Sequence, residues 1–165
     1  MSFSLLKLKK TAMEQIDETD LKILQILQKN AKKTTKEIAQ ELNLTASPIY
    51  ERIRKLEKRG IIKKYVALLD QSKLNIPVTA ICLVSQRYHN EGFIEKFEKQ
   101  IKNLKEVQEC YHMAGKVDFF LKINIKSLPA YHEFVRTKLS KIANIGVLES
   151  YFVLKEITVT TEYPL

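Results

Sequence analysis

A chain of 165 residues with 45% hydrophobic residues carries an ordinary globular share of apolar material, enough to fill a core in one domain or two small ones. No apolar run approaches the roughly 20 residues of a membrane span, and M-S-F-S-L-L-K-L-K-K at the start lacks the apolar core and cleavage site of a signal peptide, so the expected location is cytoplasmic. The net charge of +9 is uneven, with 15 basic against 9 acidic residues through Asp70 and 13 against 10 after it, which points to a polyanionic partner of the first half, nucleic acid or a membrane surface.

Residues 1–15 read as an N-terminal tail. From Ile16, the stretch I-D-E-T-D-L starts a helix: Asp17 caps, Asp20 follows three residues on, and Ile16 staples onto Leu21. Leu21, Ile23, Leu24 and Leu27 form its apolar stripe, which ends in the polar run 28–33. Thr34 and Glu37 make a capping box for a short second helix, in which Ile38 and Leu42 pair at i, i+4 and Ala39 lets a neighbouring helix come close. Asn43 tolerates the left-handed conformation that ends a helix, Leu44 is expected to tuck into the core, and Thr45 is placed to cap the next helix.

In the third helix, Ile49, Ile53 and Leu56 fall within about 60° of one another at 100° per residue and define the buried face. Ser47, Glu51, Arg54 and Lys58 then point the other way, with Tyr50 and Lys55 on the flanks. Pro48 sits in the first turn and Gly60 closes the helix. Two helices joined by a tight turn, the second with a polar and basic outer face, form a helix-turn-helix that seats its second helix in the major groove of double-stranded DNA. Thr35, Thr45, Ser47, Tyr50, Glu51 and Arg54 are the candidates at base edges or nearby phosphates, and Lys55, Lys58, Arg59, Lys63 and Lys64 hold the backbone. Arg52 lies at the core edge and reads as structural, its stem covering apolar surface.

Residues 61–70 read as an extended connector and D-Q-S-K-L-N-I-P as a turn-rich boundary, so the expected domains are 16–76 and 77–165. Beyond Pro77, Val78 to Ser85 is a strand, and Phe93, Phe97, Ile101 and Leu104 mark a helix. Val107 to Met113 and Phe119 to Ile125 are strands around a hairpin loop at Gly115. A helix opened by Ser127 and Pro129 carries Tyr131, Val135, Leu139 and Ile142, and Glu149 to Glu156 is the last strand. The order β-α-β-β-α-β is that of a ferredoxin-like sandwich, so the fold class is α+β, a winged-type helix-turn-helix followed by that sandwich. Val78 to Val84 is apolar on both faces, and a second copy of the chain is the simplest cover for the face without helices. Cys82 and Cys110 read as buried, unpaired thiols in strands, with no metal-ligand spacing.

The ordered series I-D-E-T-D at Ile16, L-T-A-S-P-I-Y-E-R-I-R-K-L-E-K-R-G-I-I at Leu44, Y-V-A-L-L-D at Tyr65, V-Q-E-C-Y at Val107, G-K-V-D-F-F-L-K at Gly115 and Y-F-V-L-K-E-I at Tyr151 resembles the Lrp/AsnC, or feast/famine, family of transcriptional regulators from Ile16 to about Thr161. The resemblance implies an N-terminal DNA reader, a C-terminal domain that responds to small molecules, typically amino acids, and homodimers joined by their sheets that often build octamers. It implies an effector site between subunits at His112, Met113, Gly115, Lys116 and Asp118; alternatively Gly115 and Asp118 only shape the turn. No cofactor and no metal are expected. Where many members have an acidic residue after the glycine this chain has Lys116, which can repel a ligand's ammonium or grip its carboxylate.

Two other classes compete. Some siroheme decarboxylases resemble the same family, but His89, His112 and His132 are scattered, His89 reading as loop and His132 as helix surface, so the chain is not expected to be an enzyme. An effector-binding protein that no longer reads DNA is the other, and the charged face of the third helix stands against it.

Overall fold

The computed structural model describes residues 16–165, so the expected tail at 1–15 lies outside the described residues. The chain divides into two compact units, one running through Leu68 together with Thr158–Leu165, the other Leu69–Ile157.

The first unit holds α1 (Glu18–Lys29), α2 (Thr35–Glu41) and α3 (Ala46–Lys58). Each start is made by the residues that the sequence marks. Asp17 accepts a 2.8 Å hydrogen bond from the Asp20 N–H, and Thr34 and Glu37 close a reciprocal capping box. Asn43 takes a φ of 54°, which ends α2 and redirects the chain within three residues. Gly60, at φ 70°, ends α3 in a Schellman motif: its N–H donates to Glu57 O and the Ile61 N–H to Leu56 O, both at 2.9 Å. Ile23, Ile26, Leu27, Ile38, Ala39, Ile49 and Leu56 form the core, with Ile53 packed against it. Leu44 departs from expectation. Its N–H is used to close α2 onto Ala39 O, and its side chain is left 46% exposed rather than tucked in. From 158 to 165 the chain lies with this unit, where Gln28 both accepts from the Tyr163 N–H and donates to its carbonyl.

Arg52 ties α3 to α1. Its guanidinium bonds the Asp17 and Asp20 carboxylates, the latter at 2.8 Å, so its structural role is ionic as well as a matter of its stem. The capping bond from the Asp20 N–H, then Arg52, hold the Asp17 carboxyl below its ordinary value. A depressed folded-state pKa means stability that is present above the unfolded value near 3.8 and lost as pH falls through the folded one. Asp17→Ala is therefore expected to cost about 1 kcal/mol at neutral pH. That difference from wild type should close as acid titrates Asp17, which melting curves of the two proteins taken from neutral to strongly acid pH would show.

In the second unit, among the described residues, β1 (Val78–Gln86), β2 (Val107–His112), β3 (Phe119–Ile125) and β4 (Ile145–Phe152) form an antiparallel sheet in the order β2-β3-β1-β4. Helices α4 (Glu91–Ile101) and α5 (Leu128–Thr137) contribute Phe97, Ile101, Tyr131 and Phe134 to the core over Ala80, Cys82, Val84, Phe119, Leu121 and Ile123. The alternate residues Ile81, Leu83, Phe120, Tyr111, Val147 and Tyr151 share the opposite face, in register across the four strands.

Three boundaries shift from expectation. The last helix stops at Thr137, and Leu139 and Ile142 reach the core through a 3-10 turn at Leu139–Lys141. β4 begins four residues earlier than the sequence suggests, where Ile145 pairs with Gln86 at the end of β1, and ends at Phe152, opposite Ala80. Cys82 is buried, as expected, but Cys110 is exposed because β2 is an edge strand.

Candidate nucleic-acid interface and effector site

α3 has one buried and one open face. Ile49 and Leu56 are buried and Ile53 half-buried, while Ser47, Tyr50, Glu51, Arg54, Lys55 and Lys58 are all exposed. Thr45 occupies the N-cap position with extended backbone angles, yet its side chain makes no capping bond, so the hydroxyl stays available at the exposed start of the helix. Thr35 is half-buried in the first turn of α2 and lines one groove with Thr34, Tyr50, Arg54, Glu57 and Tyr65. The fold thus brings together Thr35, Tyr50 and Arg54, three of the residues singled out from the sequence. The connector is tied back to this helix, since the Tyr65 hydroxyl donates to Glu57 Oε1 at 2.8 Å. Burial first, then the Glu57 carboxylate, push the Tyr65 hydroxyl up to about 12. It therefore keeps its proton, and with it the bond, at any physiological pH.

In the second unit the β2–β3 hairpin places His112, Met113, Gly115, Lys116 and Asp118 close in the chain but gives them different surroundings. His112 stacks on Phe119 with ring centroids 4.9 Å apart, and Met113 is 41% exposed. Gly115 has a φ of 158°, and no heavy atom lies within 4 Å of where a Cβ would stand, so only the backbone angle favours glycine there. Asp118 is the anchored member. Its backbone N–H donates to Val84 O at 3.0 Å, its carbonyl accepts from the Met113 N–H at 2.8 Å, and its Oδ2 accepts from the Gln86 N–H at 2.7 Å.

The sequence reading missed two neighbours of that carboxylate. His89 comes from the loop after β1, with Nε2 3.0 Å from Asp118 Oδ1. Gln86 is 5% exposed, its Nε2 lies 3.4 Å from Phe93 O, and its Oε1 has no hydrogen-bond partner among the described residues. Nothing in the spacing announces either contact, because His89 and Asp118 are 29 residues apart. His112 instead lays the face of its ring on Phe119.

A trihelical unit with one exposed basic helix, followed by an α+β sandwich, is the arrangement of a DNA-binding regulator with a ligand-responsive domain. Comparison with known proteins gives the same result in each half: residues 16–63 match the winged helix-turn-helix DNA-binding family and residues 79–163 the Lrp/AsnC ligand binding domain. The chain belongs to the Lrp/AsnC family of transcriptional regulators, proteins whose binding to DNA is modulated by a small effector. It is 30% identical to the Bkd operon transcriptional regulator of Pseudomonas aeruginosa over 93% of this chain and 100% of that one, and 30% identical to the leucine-responsive regulatory protein of Haemophilus influenzae over 97% and 96%. Among solved structures, a Neisseria meningitidis transcriptional regulator in complex with L-Met superposes with a TM-score of 0.86 at 34% identity, over 91% of this chain and 97% of that one. An AsnC family regulator from Agrobacterium tumefaciens gives 0.85 at 34%, over 90% and 96%. These relatives are regulators of transcription. No helix among the described residues is long and apolar enough to cross a membrane.

Proposed function

We propose that α3 lies in the major groove of its operator, with Ser47, Tyr50, Glu51 and Arg54 facing base edges, Thr35 and Thr45 at flanking phosphates, and Lys55 and Lys58 on the backbone. The observation that carries this is the division of α3 into a buried Ile49–Leu56 stripe and an open ridge that includes Arg54, Lys55 and Lys58. Residues 16–76 act as the reader and 77–165 as the effector and assembly domain, with the last residues, 158–165, returning to pack with the reader's helices. The effector, an amino acid or a metabolite related to one, sits at the hairpin around Asp118, His112, Met113, Gly115 and Lys116, and the chain acts by binding rather than by catalysis. The L-Met ligand of the Neisseria relative supports that class of effector. Ile81, Leu83 and Phe120, half-buried on the face that the helices leave uncovered, support a dimer of sheets, which also spaces two readers on adjacent half-sites.

The test is binding to the DNA upstream of the protein's own gene across a salt series. If about 6 phosphates are contacted, affinity falls about 10³-fold over a few-fold rise in salt. Binding that is absent, or indifferent to salt, would leave an effector-binding protein without a DNA role. Within the same assay, Arg54→Ala should weaken the specific site by about 1–3 kcal/mol and random duplex much less. Equal losses on both would move Arg54 from the bases to the backbone.

A further inference from the structure

We propose that Tyr65 is a positioning residue of the DNA reader: by holding the Glu57 carboxylate, it keeps Arg54 free for the duplex. The inference rests on the placement of Arg54 at the operator proposed above and adds the residue that leaves Arg54 available.

Tyr50, Arg54 and Glu57 follow one another at i, i+4 and i+7 on α3 and line one groove with Thr34, Thr35 and Tyr65. Arg54 and Glu57, three residues apart, are neighbours on the helix surface, where opposite charges attract. Glu57 has no second cation within a turn of its own helix, since Ile53, Gly60 and Ile61 occupy the positions at i−4, i+3 and i+4. It also stands in the last turn of α3, where a carboxylate opposes the helix dipole and is stabilised by any donor that reaches it. Without such a donor it would draw the Arg54 guanidinium along the helix and set a negative charge beside the phosphates.

Tyr65 is that donor. Its hydroxyl donates to Glu57 Oε1 at 2.8 Å, while Arg54 is exposed and makes no ion pair or hydrogen bond among the described residues. Glu51, the other carboxylate three residues from Arg54, has Lys55 four residues on, in the more favourable order, and does not depend on Arg54. The end of the helix delivers Tyr65 to this position. Gly60 turns the chain at φ 70°, the Ile61 and Ile62 N–H groups both donate to Leu56 O, and both isoleucines pack on the three-helix core. Only Lys63 and Lys64 then separate this anchored stretch from Tyr65.

The experiment is a set of double-mutant cycles on the full chain, read at fixed salt by binding to the DNA upstream of the protein's own gene and to random duplex of the same length. Tyr65→Phe keeps the ring and removes only the donor. It should weaken binding to the upstream DNA by about three- to tenfold, repeating in milder form the pattern that Arg54→Ala gives across the two DNAs. Glu57→Gln keeps an acceptor for Tyr65 but has no charge to offer Arg54. In that background, and in Arg54→Ala, the loss from Tyr65→Phe should shrink below about twofold. Tyr65 is 47% exposed and retains its ring in the variant, so the reader stays folded, which its melting curve checks. A loss of the same size in all three backgrounds, or none in the wild type, overturns the inference and leaves Arg54 in its place. If the wild type binds neither DNA, or Arg54→Ala changes binding to neither, the placement of Arg54 and the inference fall together.

Discussion

Phe119→Ala should destabilise the sheet unit by about 3–5 kcal/mol, the range for emptying a large aromatic site in a core. Phe119 is fully buried, stacked on Phe97 with centroids 4.2 Å apart and on His112 at 4.9 Å, and paired in register with Val84 and His112. It joins α4, β1, β2 and β3, so no single neighbour can move to fill the void. The next residue back is Asp118, whose N–H bond to Val84 O depends on the same register. Loss of packing should therefore appear as lost effector response as well as a lower denaturation midpoint. The three-helix core shares no residue with the sheet core, so unfolding of the reader followed separately should keep its wild-type midpoint. A fall of less than about 1 kcal/mol would mean that the site collapses, contrary to its placement at the junction of four elements.

Leu56→Ala is the matching experiment in the reader, with an expected cost of about 2–5 kcal/mol. Leu56 is 1% exposed beneath α3, against Ile23, Ile38 and Ile49, and its carbonyl accepts the Ile61 and Ile62 N–H groups that terminate the helix. A three-helix unit of this size buries a small share of its surface and has a margin of only a few kcal/mol, so the variant should populate an unfolded reader at growth temperature. DNA binding should then be lost while ligand binding by the second unit persists. Lys58→Ala, on the open face of the same helix, should leave the melting curve within about 0.5 kcal/mol of wild type. If Leu56→Ala kept full DNA affinity, the buried stripe would not be what orients the basic ridge.

Much of the helical unit was legible because its signals are local. A cap and its N–H partner are three residues apart, as with Asp17 and Asp20 or Thr34 and Glu37, and the chain makes those bonds as written. The ends at Asn43 and Gly60 follow from one residue's tolerance of positive φ. Thr45 shows the limit of such reasoning: the position is an N-cap, but the expected bond is not made. Strand ends were less legible. Where β4 starts depends on the end of β1, since Ile145 pairs with Gln86, and no pattern inside residues 145–156 encodes that alignment. Leu44 and Cys110 were misjudged for a related reason, since an apolar residue is buried only if another element lies over it.

What the sequence determined by itself is the order of elements, the two faces of α3 and the excess of positive charge around it, because helical period and charge are properties of neighbouring residues. Only the tertiary structure decided that Arg52 bridges to Asp17 and Asp20, that Ile81 and Leu83 share an uncovered face with Phe120, and that His89 closes over Asp118. Each of these joins residues from separate elements, and their distance in space is fixed by how sheets and helices pack, a quantity that spacing along the chain does not contain.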